Sequence, residues 1–355
     1  MRVEKVLRDR RRFLRLLGSG AMVAPALIQA GRAQSPEISL RLHHFLPPVA
    51  NIHTKFLAPW ARKLESDAGG RIRIEILPSM QLGGTPADLF DQVRDGIVDI
   101  AWFMPANTPG RFPAIETFEL PFVAAKRAVP TTKALTAFAG NSLKNEFRDV
   151  HPICFWAQDQ GIIHATRPIK TAEDLRRLRL EAPTRFAVDA LKVVGALGIL
   201  MPDSQIRDAL TQKAIDGCLM PWEKAPASKV TELTKYHAEL PDSPTLDTST
   251  SVLAMNKARY ERLPLDLKQI FDANSGEVAA VMAATVFDEQ AVTVSEMVRQ
   301  HGDTIAVLPE PESRRWHKAC EPITEAWIRR LKEHGLDGEK LLSSARSLVQ
   351  QYDVA

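Results

Sequence analysis

The order of strand-like and helix-like segments restricts the fold of this chain more than any other feature. Residues 38–45 alternate apolar and polar side chains, residues 51–68 repeat an apolar side chain every four positions, and residues 71–77 alternate again. A helical pattern at 86–96 and a strand-like segment at 99–104 follow. Because parallel strands at this spacing are joined through helices in right-handed crossovers, the pattern predicts a parallel sheet covered by helices.

The second half of the chain repeats this order. Strand-like segments alternate there with helical ones and lie at residues 177–181, 199–201 and 214–220. We therefore expect two α/β units that separate near residue 158. A largely uninterrupted helical stretch between Pro264 and Gly302 is too long for one compact unit, so we expect it to lie along both.

The first 33 residues have the pattern of an export signal. They hold eight basic and two acidic side chains, a net of +6, while the whole chain carries only +3. The basic residues precede a short apolar stretch at 14–30, and Ala33 offers a cleavage site. Residues 10–12 are three arginines that resemble the twin-arginine pattern, with Asp9 where Ser or Thr is usual. The segment predicts export to the periplasm.

An amphipathic surface helix or an uncut membrane anchor is the alternative for this segment. Its apolar run is short and is broken by glycines and by Pro25, which argues against a membrane-spanning helix. We expect no other segment of the chain to reach the length of a membrane span.

Composition and motifs exclude several functional classes. The net charge of +3 is too small to indicate nucleic-acid binding. The sequence has no GxSxG, HExxH or Walker A motif, and no GxGxxG after a strand. Its neighbouring histidines match no standard metal-site spacing. We therefore predict no enzyme activity, no metal and no cofactor. The cysteines, Cys154, Cys218 and Cys320, are expected to be small buried residues.

Two exported α/β units favour a ligand site in the cleft between them, because ligands of such sheets bind at the carboxyl ends of the strands. This is the architecture of a periplasmic solute-binding protein, in which two domains close around a small-molecule solute. The predicted fold class is therefore α/β, with two domains, an inter-domain cleft and a long bracing helix.

Several segments resemble those of one known family. They read HHFLPP at 43–48, QLGG at 81–84, GIVDIA at 96–101, FELPF at 118–122, LTQKAIDG at 210–217 and MNK at 255–257. In their order and spacing, they make residues 38–345 resemble the solute-binding subunit of a tripartite ATP-independent periplasmic (TRAP) transporter.

The resemblance implies a receptor that captures a small organic solute, usually a carboxylate. It would deliver this solute to TRAP membrane permease subunits that an ion gradient drives, with no covalent chemistry and no ATP. It also implies domain I at 36–158 plus 247–286 and domain II at 159–246 plus 287–355. We expect a monomer in solution.

The chain departs from the family at the position of its main ligand anchor. That anchor is an arginine in a K-[IM]-R-x-P strand, and Glu181 stands there in this sequence. Ile163 replaces a second family arginine, and Asp203 replaces an aromatic residue. Arg185, four residues after Glu181, could hold the solute carboxylate instead. Alternatively, Glu181 forms a salt bridge with Arg185 and contacts no ligand.

Two solute classes remain open from the sequence. The first is a small organic acid with an apolar or aromatic part, held through Arg185. The second is an amine-bearing or zwitterionic molecule, held by Glu181, Asp203 and Trp222. Core packing is the alternative role of Trp222.

Further candidate ligand contacts are His44, Phe45, Trp102, Phe103, Asp159 and Glu223. Only one of Trp102 and Phe103 can face the cleft, since strand side chains alternate.

Two rival functions belong to other classes of protein. One is a sensory binding protein that signals through a membrane kinase. The other is an exported enzyme, which would need a catalytic constellation that the sequence does not offer.

Overall fold

The computed structural model describes residues 36–354, so the predicted export signal at 1–33 lies outside the described residues. The strands of the described chain are β1 (Ile38–His43), β2 (Ile72–Leu77), β3 (Ile100–Phe103), β4 (Val150–Ala157), β5 (Ile162–Ala165), β6 (Arg179–Ala182), β7 (Leu197–Leu200), β8 (Gly217–Met220), β9 (Tyr236–Glu239), β10 (Thr250–Asn256) and β11 (Thr304–Val307). All six predicted strands are present, and their ends agree with the prediction to within three residues.

The helices enclose these strands. They are α1 (Ala58–Asp67), α2 (Leu89–Arg94), α3 (Ala128–Ser142), α4 (Ala172–Leu175), α5 (Arg185–Val193), α6 (Asp203–Thr211), α7 (Val230–Leu233), α8 (Lys257–Glu261), α9 (Leu265–Ala273), α10 (Glu277–Gln300), α11 (Glu310–Glu333) and α12 (Gly338–Tyr352). A π-helical segment, Ile52–Leu57, leads directly into α1.

The strands form two sheets. The first has the order β2-β1-β3-β10-β4, and the second has the order β11-β9-β5-β8-β6-β7. In the first sheet, β1 pairs in parallel with β2 and β3, as predicted. Strand β10 enters from the second half of the chain, within the residues 247–286 that the family resemblance assigned to domain I, and runs between β3 and β4 in an antiparallel orientation that the sequence did not indicate.

In the second sheet, β6 is parallel to both β7 and β8, and β5 is antiparallel to β8 and β9. The chain passes from the first sheet to the second between β4 and β5 and returns between β9 and β10. The carboxyl ends of β1 and β3 thus share one edge of the first sheet, and those of β6, β7 and β8 share one edge of the second. The exact domain boundaries stay a prediction.

The long helical stretch differs from its prediction in one respect. It is broken at residues 274–276 into α9 and α10, because Gly276 adopts a φ of 65°, which a helix cannot continue. The amide of Gly276 donates to the carbonyl of Ile153 on β4, so the break also ties the chain to the first sheet.

Helix α10 braces both sheets, as the sequence predicted. Ala280, Ala284 and Phe287 in its first half lie in the apolar cluster of the first sheet. Val294 and Val298 in its second half pack with Ile162 and Trp222 of the second sheet. The small side chains of Ala280 and Ala284 allow α10 to approach the first sheet closely.

By length and composition, the segment Leu265–Gln300 could cross a membrane, contrary to the expectation that no second segment would qualify. Half of its most apolar window is buried inside the protein. Its apolar character is accounted for by packing on both sheets.

Gly217 allows β5, β6 and β8 to approach closely. A Cβ at this position would clash with the carbonyl oxygen of His164 and lie 2.9 Å from a methyl carbon of Leu180. Because the strand backbone cannot move away cheaply, we expect Gly217→Ala to lower the free energy of unfolding by about 2 kcal/mol or more.

The matched control is Gly140→Ala on α3, where a Cβ would meet no atom within 4 Å. It is expected to leave stability unchanged or to raise it slightly, since Ala favours helix. Urea unfolding of both variants measures the difference, and equal midpoints would contradict the close packing of β8.

Candidate functional site

Aromatic side chains line the edge of the first sheet at the carboxyl ends of β1 and β3. The ring of Trp102 lies 4.7 Å from that of Phe45, 5.6 Å from that of Trp156 and 5.7 Å from that of His44, measured between centroids. Both tryptophans are fully buried. Phe103 points to the opposite face of the sheet, where it packs with Phe90, Phe112 and Phe147. Strand alternation therefore places Trp102, and not Phe103, in this wall.

Polar atoms without partners accompany the aromatic wall. Within residues 36–354, the indole nitrogens of Trp102 and Trp156 and the hydroxyls of Ser249 and Ser251 are buried and make no hydrogen bond. Trp156 lies opposite Ser251 in the antiparallel pair, and Trp102 lies opposite Leu253, so these side chains share one face. Leaving a buried donor unpaired costs about 1–3 kcal/mol, so an acceptor placed against these groups would be stabilising.

His44 adds a neutral ring to this wall. Its Nε2 lies 2.8 Å from Nδ1 of His53, and its Nδ1 has no partner among the described residues. Burial, together with His53 and His43 nearby, lowers the pKa of His44 to about 3. His43 points to the opposite face and contacts Gln92, as the alternation predicted. Neither histidine therefore carries a charge at neutral pH.

Four ionisable side chains meet at the strand ends of the second sheet. Glu181 is on β6, Asp203 is the first residue of α6, and Glu223 and Lys224 follow β8. The Lys224 ammonium lies 2.9 Å from the Asp203 carboxylate. Burial alone would lower the pKa of Lys224, but the surrounding carboxylates of Asp203, Glu223 and Glu181 raise it, so this lysine stays charged.

Glu181 is the least satisfied of these groups. Its side chain is 1% exposed, and neither carboxyl oxygen finds a hydrogen-bond partner in the described part of the chain. Burial, and then the nearby Asp203, raise its pKa well above the ordinary value. The expected alternative, a salt bridge to Arg185, is not formed.

Arg185 is instead bound to the first half of the chain. Its guanidinium pairs with the carboxylate of Glu116, which also accepts a hydrogen bond from the amide of Gly110 at 2.8 Å and has Arg330 3.5 Å away. A solute carboxylate at Arg185 would have to compete with Glu116. The role of Arg185 as the carboxylate anchor stays a prediction.

Glu223 joins the edges of the two sheets. Its backbone carbonyl accepts a hydrogen bond from Asn51 at 3.4 Å, and its carboxyl group lies at the amide of Ile52, where the π-helical segment begins. Burial raises the pKa of this carboxyl to about 7, although Lys224 opposes the shift. The two edges are thus in contact, and the groups between them are shielded from water.

Asp159 and Trp222 lie close to this contact. Asp159 is buried with one unpaired oxygen, and its pKa is raised by burial and then by Asp288 and Glu223. The Trp222 indole donates to Glu239 at 3.0 Å, and its ring packs against His164 at 4.9 Å. This is the core packing that the sequence left open as the alternative role of Trp222.

Three groups of this site were missed from the sequence. Lys224 directly follows a predicted contact, Glu223, and could have been found from its place after a strand end. Trp156 is the last but one residue of β4. Ser249 directly precedes β10, and Ser251 is the second residue of β10. Their convergence depends on the antiparallel insertion of β10, which no local pattern signals.

The described residues contain no group of three or more side chains that could hold a metal ion. The three cysteines, Cys154, Cys218 and Cys320, are free and buried, as predicted.

The chain was compared with known proteins. Residues 42–330 match the family model DctP, described as bacterial extracellular solute-binding protein, family 7. The "Outer membrane transporter protein TsaT" of Comamonas testosteroni is 23% identical over 339 residues, which is 94% of this chain and 98% of that protein.

Two solved structures are more similar in sequence. A TRAP solute-binding protein from Rhodoferax ferrireducens, in complex with copurified benzoate, is 38% identical with a TM-score of 0.84, over 88% of this chain and 98% of that one. A marine metagenome TRAP solute-binding protein, specific for aromatic acid ligands and holding 3-hydroxybenzoate, is 37% identical with a TM-score of 0.87, over 90% and 100% of the two chains.

The raised pKa of Glu223 predicts a pH-dependent effect of Glu223→Gln on stability. Because the folded state holds the proton to about pH 7 and the unfolded state releases it near 4.5, the wild type loses stability relative to the variant as pH rises from 4.5 to 7. The difference levels off above pH 7 at up to about 3 kcal/mol in favour of the variant.

Chemical denaturation at several pH values measures this difference. Glu75→Gln, at an exposed position of β2, corrects for the loss of one charge. A stability difference between wild type and Glu223→Gln that does not change between pH 4.5 and 7 would contradict the burial of this carboxyl.

Proposed function

The chain belongs to the bacterial extracellular solute-binding proteins of family 7, and from this premise we propose that its solute is an aromatic carboxylate. The protein is a solute receptor of the TRAP type. In our proposal it captures the acid between the edges of the two sheets and delivers it to the membrane permease subunits. It is exported to the periplasm by the signal at 1–33, acts as a monomer and returns the solute chemically unchanged.

The observation that carries this proposal is the pair of buried tryptophans with unpaired N–H groups. The rings of Trp102 and Trp156 lie 5.6 Å apart, and their indole nitrogens are donors without acceptors within the described chain. A carboxylate is a strong acceptor, and hydrogen bonds to a charged group contribute more than neutral ones. The hydroxyls of Ser249 and Ser251 on the same face add further donors.

The charges at the edge of the second sheet determine how the acid is oriented in this proposal. This edge carries the carboxyl groups of Glu181, Asp203 and Glu223 around the ammonium of Lys224, which is already paired with Asp203, so a solute carboxylate is disfavoured there. The first sheet offers donors and neutral histidine instead. The solute carboxylate therefore faces the first sheet, and the remainder of the solute faces the second.

The relatives support the same class of solute. The two structures that share 37–38% identity with this chain hold benzoate and 3-hydroxybenzoate. The alignments with both structures cover nearly the whole described part of this chain.

An amine-bearing or zwitterionic solute is the second candidate. The observation that favours it is the buried carboxyl of Glu181, whose two oxygens have no partner in residues 36–354. In this case the ammonium group would lie at Glu181, with Asp203 close by. A solute without a carboxylate would leave the indole N–H groups unpaired.

Binding measurements separate the two candidates. We expect benzoates to raise the melting temperature of the purified protein, since a ligand at a hundred times its Kd stabilises the folded state by about 2.7 kcal/mol. Primary amines without a carboxylate are expected to have no effect. Stabilisation by such amines, with none by benzoates, would overturn the proposal.

Replacing the indole donors tests the anchor itself. Trp102→Phe and Trp156→Phe remove one N–H each and keep an aromatic ring, so we expect each to weaken benzoate binding at least about tenfold. Trp327→Phe is the matched control, because its buried indole nitrogen on α11 is equally without a partner in the described chain, while its ring packs in a different apolar cluster from Trp102 and Trp156. Calorimetry of the three variants that shows equal affinities would contradict the anchor.

A further inference from the structure

Glu181 is a buried acceptor at the far side of the site from the tryptophans. It lies on β6 between Leu180 and Ala182, which point into the apolar core on the other face of the sheet. Its side chain therefore shares a face with Cys218 of β8, the strand beside it. Parallel β6 and β8 end at the same edge, where Glu223 and Lys224 follow β8.

No residue of the described chain satisfies this carboxyl. Lys224 is the cation that lowers the pKa of Glu181, but its ammonium pairs with Asp203 at 2.9 Å. Arg185, the other neighbouring cation in sequence, pairs with Glu116. Both oxygens of Glu181 are thus left without a donor, although the side chain is 1% exposed.

A buried carboxyl without a partner is costly, and an apolar side chain of similar size would avoid this cost. The same edge of the second sheet contacts the first sheet through Asn51 and Glu223. In the proposed function the solute carboxylate lies at Trp102 and Trp156, so the opposite end of the solute points toward the second sheet, where Glu181 lies. A donor on that end would satisfy the carboxyl.

We infer that the solute carries a hydrogen-bond donor, a ring hydroxyl or amino group, at the end opposite its carboxylate, and that Glu181 accepts from it. This inference rests on the proposed function and narrows its solute class to hydroxy- or amino-substituted aromatic acids. Such a solute links the two sheets, with its carboxylate on the first and its donor on the second. An unsubstituted benzoate contacts only the first.

Calorimetry with paired probes tests the inference. The probes are benzoates that carry a hydroxyl, amino, methoxy or methyl group at the 3- or the 4-position. For at least one position, we expect the hydroxy and amino acids to bind the wild type at least tenfold more tightly than the methyl and methoxy acids. The methyl group is the stricter control, because it can neither donate nor accept, whereas the methoxy group keeps the oxygen but cannot donate.

Variants of Glu181 provide the second part of this test, with the same probes. Glu181→Leu is expected to reverse the preference, so that the methyl acid binds more tightly than the hydroxy acid. Glu181→Gln keeps an acceptor oxygen and is expected to retain the preference for the hydroxy acid. If Glu181→Leu does not fold, the Glu181→Gln variant and the wild-type probe series still decide the outcome.

The inference is overturned if the methyl and methoxy acids bind the wild type as tightly as the hydroxy and amino acids at both positions. It is also overturned if Glu181→Leu keeps the preference for the donor. Either result leaves the aromatic carboxylate proposal intact as long as the benzoates bind. If no benzoate binds the wild type, the proposed function itself fails.

Discussion

Burial of polar groups between the edges of two sheets is the constraint on which the rest of this structure depends. Parallel strands bring their carboxyl ends to one edge, and the residues that follow them converge there. When the two edges touch, as they do at Asn51 and Glu223, these residues lose contact with water. Each polar atom then needs a partner from the chain or from a solute.

The two edges differ in what they leave unpaired, and this difference gives the site its direction. On the first sheet, the unpaired atoms are mainly donors, on Trp102, Trp156 and the neighbouring serines. On β6 of the second sheet and in the connection between β4 and β5, Glu181 and Asp159 have unpaired acceptor atoms. In our proposal, a solute with an acidic end and a donor end satisfies both.

Helix α10 holds the two edges in position. Its alanines pack on the first sheet and its valines on the second, while Asp288, between these two groups, caps the start of α3 through the amides of Ala128 and Val129. Because one helix contacts both sheets, relative motion of the sheets must bend or slide along it. The Arg185–Glu116 ion pair adds a second connection between the two halves of the chain.

Local patterns in the sequence were sufficient for six of the eleven strands of the described chain and for the bracing helix, because alternation and four-residue spacing reflect burial directly. They missed the break at Gly276, since a single left-handed residue leaves no periodic signal. The predicted site residues Glu181, Asp203 and Glu223 do lie together, since each follows or ends a strand of one sheet. The partner of Arg185 is Glu116, 69 residues earlier in the chain, and a pairing at that separation depends on how the two sheets approach each other.

The most direct measurement is a crystal structure of the protein with 3-hydroxybenzoate. The account predicts that the carboxylate lies within hydrogen-bond distance of the indole nitrogens of Trp102 and Trp156, with Arg185 still paired to Glu116. A carboxylate bound by the guanidinium of Arg185, with Glu116 displaced and both indole nitrogens unpaired, would contradict it.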